Sequence, residues 1–335
     1  MNNTIKSTLI LTLTAFIWGM GFVAQRAGME HVGPFLFSGL RMLLGAATLL
    51  LVARIGNART NGKARKLRDA AASDRKDKRE SLPLSQTEEG TPEAERIPKP
   101  PMKYVLKGGI VCGLILFVAG NFQQVGLVVT TASKAGFLTA LYIILVPILG
   151  IFLKHKTHWN TWVSVAVAAM GLYFLCITAD LSFQVSDFIV LIGAMFWAVH
   201  ILAVDKYVPA LSQSDVMMLC VFQFATSGVC SMICSLLFDG FFVSGGFNLS
   251  GIVSILPAIL YAGILSTGAG FTLQAVGQKY ANPSAASIIM SLEAVFSVVG
   301  GFLILHERLT GREGLGCALM FAAVLLAQLP VKSRK

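Results

Sequence analysis

Charge is scarce in this chain: Asp, Glu, Lys and Arg make up 13% of its 335 residues, where a soluble domain carries about 25%. Apolar residues fill the space, at 55%. In water such a chain would expose large adhesive patches, but a bilayer is itself apolar and removes that problem. Lipid also requires the backbone to satisfy its own hydrogen bonds, which leaves helices or a closed barrel. The apolar runs are about twenty residues long rather than short and alternating, which selects helices. Chemical signatures are missing too. The sequence has no Walker phosphate loop and no HExxH, so neither nucleotide hydrolysis nor zinc proteolysis is indicated. Its six cysteines (Cys112, Cys176, Cys220, Cys230, Cys234, Cys317) lie in apolar segments with no CxxC pair, which excludes a zinc finger or a disulfide framework. No cofactor or metal is implied.

Ten apolar segments are present, at about 5–25, 34–53, 104–127, 133–153, 159–178, 186–205, 215–238, 251–276, 283–305 and 313–330. The first follows Lys6 and has no clear small-residue cleavage site, so it reads as a transmembrane helix rather than a signal peptide. Short linkers join most segments and favour antiparallel neighbours. The exception is 54–103, with 13 basic and 8 acidic residues, five prolines and almost no large apolar side chains. It cannot bury a core and reads as a disordered basic loop. The net charge of +10 is therefore a topology signal, not a nucleic-acid footprint. With the N-terminus inside, 22 basic residues fall on the cytoplasmic side and 4 outside; without the long loop the ratio is 9 to 4. Both termini are expected in the cytoplasm, in a multi-pass cell membrane protein.

Self-comparison reveals a repeat. Phe122-Gln123-Gln124-Val125-Gly126 aligns with Leu273-Gln274-Ala275-Val276-Gly277 at an offset of 151. The same offset matches Leu141 with Leu292, Gly150 with Gly301 and His155 with His306. Ala15-Phe16-Ile17-Trp18 resembles Ala194-Met195-Phe196-Trp197 at an offset of 179. The fold expected is thus an all-α integral membrane protein of ten transmembrane helices, arranged as two five-helix repeats over 1–178 and 179–330, with a cytoplasmic tail at 331–335. Five is odd, so the repeats would enter the membrane from opposite sides. That inverted topology is common among secondary transporters, with the substrate site near the midplane between the halves.

The chain also resembles a known family. Thr131-Ala132-Ser133-Lys134-Ala135-Gly136-Phe137-Leu138-Thr139-Ala140-Leu141-Tyr142 with Pro147, Asn282-Pro283-Ser284-Ala285-Ala286 through Ser291-Leu292-Glu293, and His306-Glu307-Arg308-Leu309 look like EamA-type members of the drug/metabolite transporter superfamily. Trp18-Gly19 and the spacing of Pro34 to Arg41 fit as well. The resemblance covers nearly the whole chain except 54–103. Two features depart from the family pattern: Ala294 stands where proline is frequent, and the second loop is unusually long. The resemblance implies a ten-helix carrier of metabolites, amino acids or drug-like compounds.

Glu293 is the sharpest candidate for function, because it is the one acidic residue at the centre of an apolar segment. A charge there costs about 3 kcal/mol or more, so the carboxyl must face protein or water. It reads either as a proton-coupling or amine-binding group or as a hydrogen-bonded structural carboxyl. Its repeat partner, Tyr142, would face it across the pseudo-twofold axis. Gln123, Gln124 and Gln274 can donate and accept to a polar substrate, or bond between helices. Trp18, Trp197 and His200, with Phe196 and Tyr261, are candidates for a cavity wall, with plain packing as the alternative reading. Arg41 is a candidate contact for an anion; snorkelling to the surface or pairing with another helix is the competing reading. Pro147 suits a mid-helix hinge.

The function expected is secondary transport, by alternating access and in the efflux direction, of amino acids or related polar or drug-like metabolites. Partners would be a small-molecule substrate, the lipid bilayer and protons as coupling ion, in a monomer or homodimer, with no nucleic acid. A nucleotide-sugar or phosphorylated-sugar exchanger is the alternative within that class, and would want more cavity cations than Arg41 and Lys134. A membrane scaffold or sensor, or an intramembrane enzyme, are the alternatives outside it.

Overall fold

The computed structural model describes residues 3–29, 31–55, 100–130, 132–155, 157–176, 184–242, 249–304, 310–327 and 329. Most of the 54–103 segment, the His306-Glu307-Arg308-Leu309 motif and the tail 331–335 lie outside the described residues, as does the side chain of Lys134. Among the described residues all regular structure is helical.

The helices are α1 (Asn3–Gly28), α2 (Pro34–Ile55), α3 (Met102–Gly126), α4 (Ala132–Ala140), α5 (Tyr142–Phe152), α6 (Trp159–Cys176), α7 (Val185–Tyr207) and α8 (Gln213–Phe238). They continue with α9 (Leu249–Ser254), α10 (Leu256–Leu260), a π-helix (Tyr261–Phe271), α11 (Thr272–Gln278), α12 (Pro283–Met290), α13 (Glu293–Ile304) and α14 (Gly311–Ala327). Among the described residues, seven helical stretches are long and apolar enough to cross a membrane, and Trp159–Leu175 and Pro283–Val299 are shorter apolar helices. The chain is a multi-pass membrane protein.

Local chemistry sets several helix starts. Asn282 accepts a hydrogen bond from the Ala285 backbone N–H at 2.7 Å, with Pro283 in the first turn, so α12 begins with a side-chain cap and a proline whose missing N–H costs nothing there. Ser212 caps α8 in the same way through Asp215 N–H. Gln184 and Asp187 form a reciprocal capping box on α7. The cap of α2 comes from far away. Asp239, just past α8, accepts from the N–H groups of Phe35 (3.1 Å) and Leu36 (2.7 Å), so a carboxylate sits on the positive end of that helix. Gly33 is required beside it, because a Cβ there would overlap the Asp239 side chain.

In the packing, α3 lies between α7 and α8, α6 runs along α14, and α1 rests on α13, α11 and the π-helix. Small residues let these backbones approach. A Cβ at Gly316 of α14 would lie 2.7 Å from the backbone nitrogen of Leu175 and 2.8 Å from the carbonyl of Gly171, both on α6.

Three of the segments expected as single helices are interrupted. The 133–153 segment breaks at Leu141, whose N–H bonds back three residues to Leu138. The interruption precedes Pro147, through which α5 continues and which is buried. The 283–305 segment breaks at Ser291-Leu292, where Leu292 N–H bonds to Ile289 O, although Ala294 rather than a proline follows Glu293. The two breaks are 151 residues apart, the repeat offset. The 251–276 segment is divided into α9, α10 and an eleven-residue π-helix. That stretch holds Gly263, Gly268 and Gly270 with Ser266 and Thr267, a composition that weakens the preference for the α form.

Candidate functional site

Each interrupted pair places a polar residue at the first position of its second half-helix: Tyr142 opens α5 and Glu293 opens α13. The Tyr142 hydroxyl donates to Glu293 Oε1 at 3.2 Å. Both side chains are buried, with Glu293 at 4% exposure. What brings α1 against this point is Gly19, where a Cβ would lie 2.5 Å from the Glu293 carbonyl oxygen. A larger residue at 19 would push α1 away from α13.

Around the Tyr142–Glu293 pair lies a narrow internal cavity of about 40 Å³, counted as space open to the centre of a water molecule. Its wall includes Trp18, Arg41, Gln123, Tyr142, Trp197, Gln274 and Glu293, together with Phe22, Gln25, Thr139, Ile201, Ser266 and Phe271. The indoles are fixed by hydrogen bonds: Trp197 Nε1 donates to Gln123 Oε1 at 2.7 Å, and Trp18 Nε1 to the Ser266 carbonyl at 3.1 Å. Phe271 stacks on Trp197 with centroids 5.7 Å apart and meets Trp18 at 4.8 Å. Gln274 donates to Gln278, which donates to the Ile201 carbonyl.

Arg41 is on the cavity wall and only 3% exposed. It therefore does not snorkel to the surface, because its guanidinium points inward to Gln25, whose Oε1 accepts from Nη1 at 3.1 Å. No carboxylate lies within ion-pair distance of it among the described residues, and its Nε has no hydrogen-bond partner.

Four residues read as cavity candidates, Gln124, His200, Tyr261 and Phe196, lie off the wall. Gln124 is fully buried and donates toward the Gln25 carbonyl and Met29 sulfur. His200 is also fully buried, 3.2 Å from Gln223 Oε1 and edge-on to Trp197 and Phe271, which makes it a buttress behind the aromatic wall. Tyr261 instead donates to the Ile17 carbonyl at 2.8 Å, and Phe196 stacks on Phe122. The wall residues Phe22, Gln25, Thr139, Ser266 and Phe271 have no sequence signal stronger than a polar or aromatic residue in an apolar run. Gln25 is the exception, since an amide sixteen residues before Arg41 on the neighbouring helix is a ready partner for it.

A family model described as EamA-like transporter family matches residues 5–71 and 184–329. The chain belongs to the EamA-like transporter family. It is 30% identical over 226 residues to an uncharacterized transporter of Archaeoglobus fulgidus, covering 67% of this chain and 70% of that protein. It is also 21% identical over 338 residues to the uncharacterized transporter YoaV of Bacillus subtilis, covering 99% of both. One solved crystal structure superposes with a TM-score of 0.68 at 17% identity, over 96% of each chain, a likeness of fold alone. These likenesses point to a transporter rather than an enzyme.

Proposed function

We propose that this EamA-like transporter is a secondary carrier of small polar metabolites of the amino-acid kind, working in the efflux direction at the cell membrane. Its ten membrane crossings form two inverted five-helix halves, 1–178 and 179–330, with both termini cytoplasmic. The observation that carries the reading is convergence of repeat-related residues on one cavity. Trp18 and Trp197, Gln123 and Gln274, and Tyr142 and Glu293 are pairs at the repeat offsets, and all six are on its wall. Helix contacts support the same pseudo-twofold: α7 packs on α3 as α1 packs on the π-helix and α11, and α6 lies along its own counterpart α14. Half-helices broken at matching positions in two halves are the usual frame of a carrier site.

The cavity as it stands has room for only a few water molecules. Cargo therefore enters when the halves rock apart toward one face, and the Tyr142–Glu293 bond and the indole cluster separate toward that face. Glu293 is the proton-coupling group: a carboxyl that is protonated in one phase of the cycle and deprotonated in the other ties proton movement to cargo movement. A phosphorylated cargo is not favoured, since the wall offers a single cation.

Purified protein in liposomes, loaded with labelled amino acids under an imposed pH gradient, tests this. Solute flux that follows the gradient is expected, with Glu293→Gln losing the pH dependence. Gradient-dependent flux unchanged in that variant removes the coupling role, and no flux of any amino acid or related metabolite removes the cargo class. Cysteines introduced at 155 and 312 should react with an impermeant reagent from opposite sides; reaction from the same side would sink the inverted arrangement.

A further inference from the structure

The carrier reading leaves one group without a task. Arg41 is buried, keeps its charge under all conditions a protein meets, and is held by one neutral amide. Removing a guanidinium from water without a counter-charge is expensive, and the usual remedies are absent here. It neither reaches the surface nor pairs with a carboxylate among the described residues. Its Nε N–H, also buried, has no acceptor. The guanidinium is a planar fork built for two-point contact with a carboxylate, and Arg41 lines the same cavity as Glu293.

Among the described residues these two are the only charged side chains on the wall, one of each sign, and they do not pair with each other. The same wall holds Trp18, Trp197 and Phe271, and aromatic rings attract an organic cation through their quadrupoles and pack an apolar group equally well. We propose that Arg41, positioned by Gln25, is the specificity-determining anchor for a carboxylate on the cargo, and that the cargo is a small zwitterion whose ammonium faces Glu293 and the indoles. This rests on the carrier reading and narrows it. An ammonium cargo without a carboxylate would leave the Arg41 charge unmet, and an anion without an ammonium would leave Glu293 facing an uncompensated cargo.

The test uses the full chain in detergent and in liposomes with three probe sets: the standard neutral amino acids, the primary amines that lack their carboxylates, and the carboxylic acids that lack their amino groups. At least one amino acid should raise the melting temperature of the wild type, while its amine counterpart should not. In Arg41→Gln the shift should disappear, and in Arg41→Lys the transport KM should rise about tenfold or more, since a lysine keeps the charge but loses the fork. Because Arg41→Gln can also weaken the fold, Gln25→Glu separates the two roles. It places a fixed carboxylate on Arg41, so it should raise the melting temperature of the empty protein and abolish amino-acid binding. A merely structural Arg41 would gain the same stability and keep its cargo. An amine that binds the wild type as well as its parent amino acid, or a Gln25→Glu variant that transports amino acids with unchanged KM, overturns this proposal while leaving the carrier itself in place. No response to any of the three sets overturns it as well; flux of an unrelated solute in the liposomes then decides the carrier reading separately.

Discussion

The helix α3 and the stretch from α9 to α11 occupy matching places in the two proposed repeats, yet their backbones differ. Over Met102–Gly126, α3 is one uninterrupted α-helix, wedged between α7 and α8. At Gly113 it touches α8 so closely that a Cβ would lie 2.6 Å from the Gln223 carbonyl. Its counterpart is cut into short helices and a π-helix. A Cβ at Gly268 in that stretch would meet nothing nearer than the Gly263 carbonyl at 3.3 Å. What the pair shares is the cavity-facing amide, Gln123 in one and Gln274 in the other. The repeat has kept the side chains that meet the cavity and let the backbone diverge. In the proposed carrier, a rigid helix on one side and a loosely wound one on the other would give the two halves different costs of bending, and so bear on how its two facings are populated.

The comparison can be broken most directly at Gly113. Gly113→Val drives a branched side chain into the α8 backbone and should cost about 3 kcal/mol, seen as a large fall in melting temperature in detergent. Tyr142→Phe removes the bond to Glu293 and leaves a buried acceptor short of a donor, about 1–2 kcal/mol; the melting temperature should fall and the pH profile of flux should change. Trp197→Phe loses the bond to Gln123 and should cost about 1 kcal/mol, with a reduced rate of cargo movement in liposomes. The smallest stability effect is expected at Gly268→Ala, under about 1 kcal/mol, because the Cβ needs only a small shift and alanine favours the α form. If that variant instead destabilises as strongly as Gly113→Val, the two stretches are equally rigid and the contrast fails.

Much of the arrangement was readable before any coordinates. The scarcity of charge and the length of the apolar runs point to membrane helices, and the shared offset picks out Tyr142, Glu293, Gln123 and Gln274 as related positions, all now found on one wall. The breaks were not readable. Leu141 and Ser291-Leu292 hold no glycine or proline, and the visible breaker, Pro147, lies within a continuing helix. No local propensity of these residues encodes those interruptions. The π-helix was hidden for a related reason: its glycines and hydroxyls loosen the α form without specifying a replacement. Gln25 escaped notice because its importance is relational. It matters only once Arg41 turns inward, and a sequence shows which residues carry charge but not which way they point.

One contact made far from the cavity bears on how such a molecule could move. Asp239 belongs to the stretch after α8 but grips the first two free amide groups of α2, so the proposed halves are pinned together at one corner of the bundle by a buried clasp. Two bodies joined at a corner swing about it rather than drift apart. Cutting the clasp with Asp239→Asn would give the swing a second degree of freedom, and the carrier would trade a directed stroke for slack.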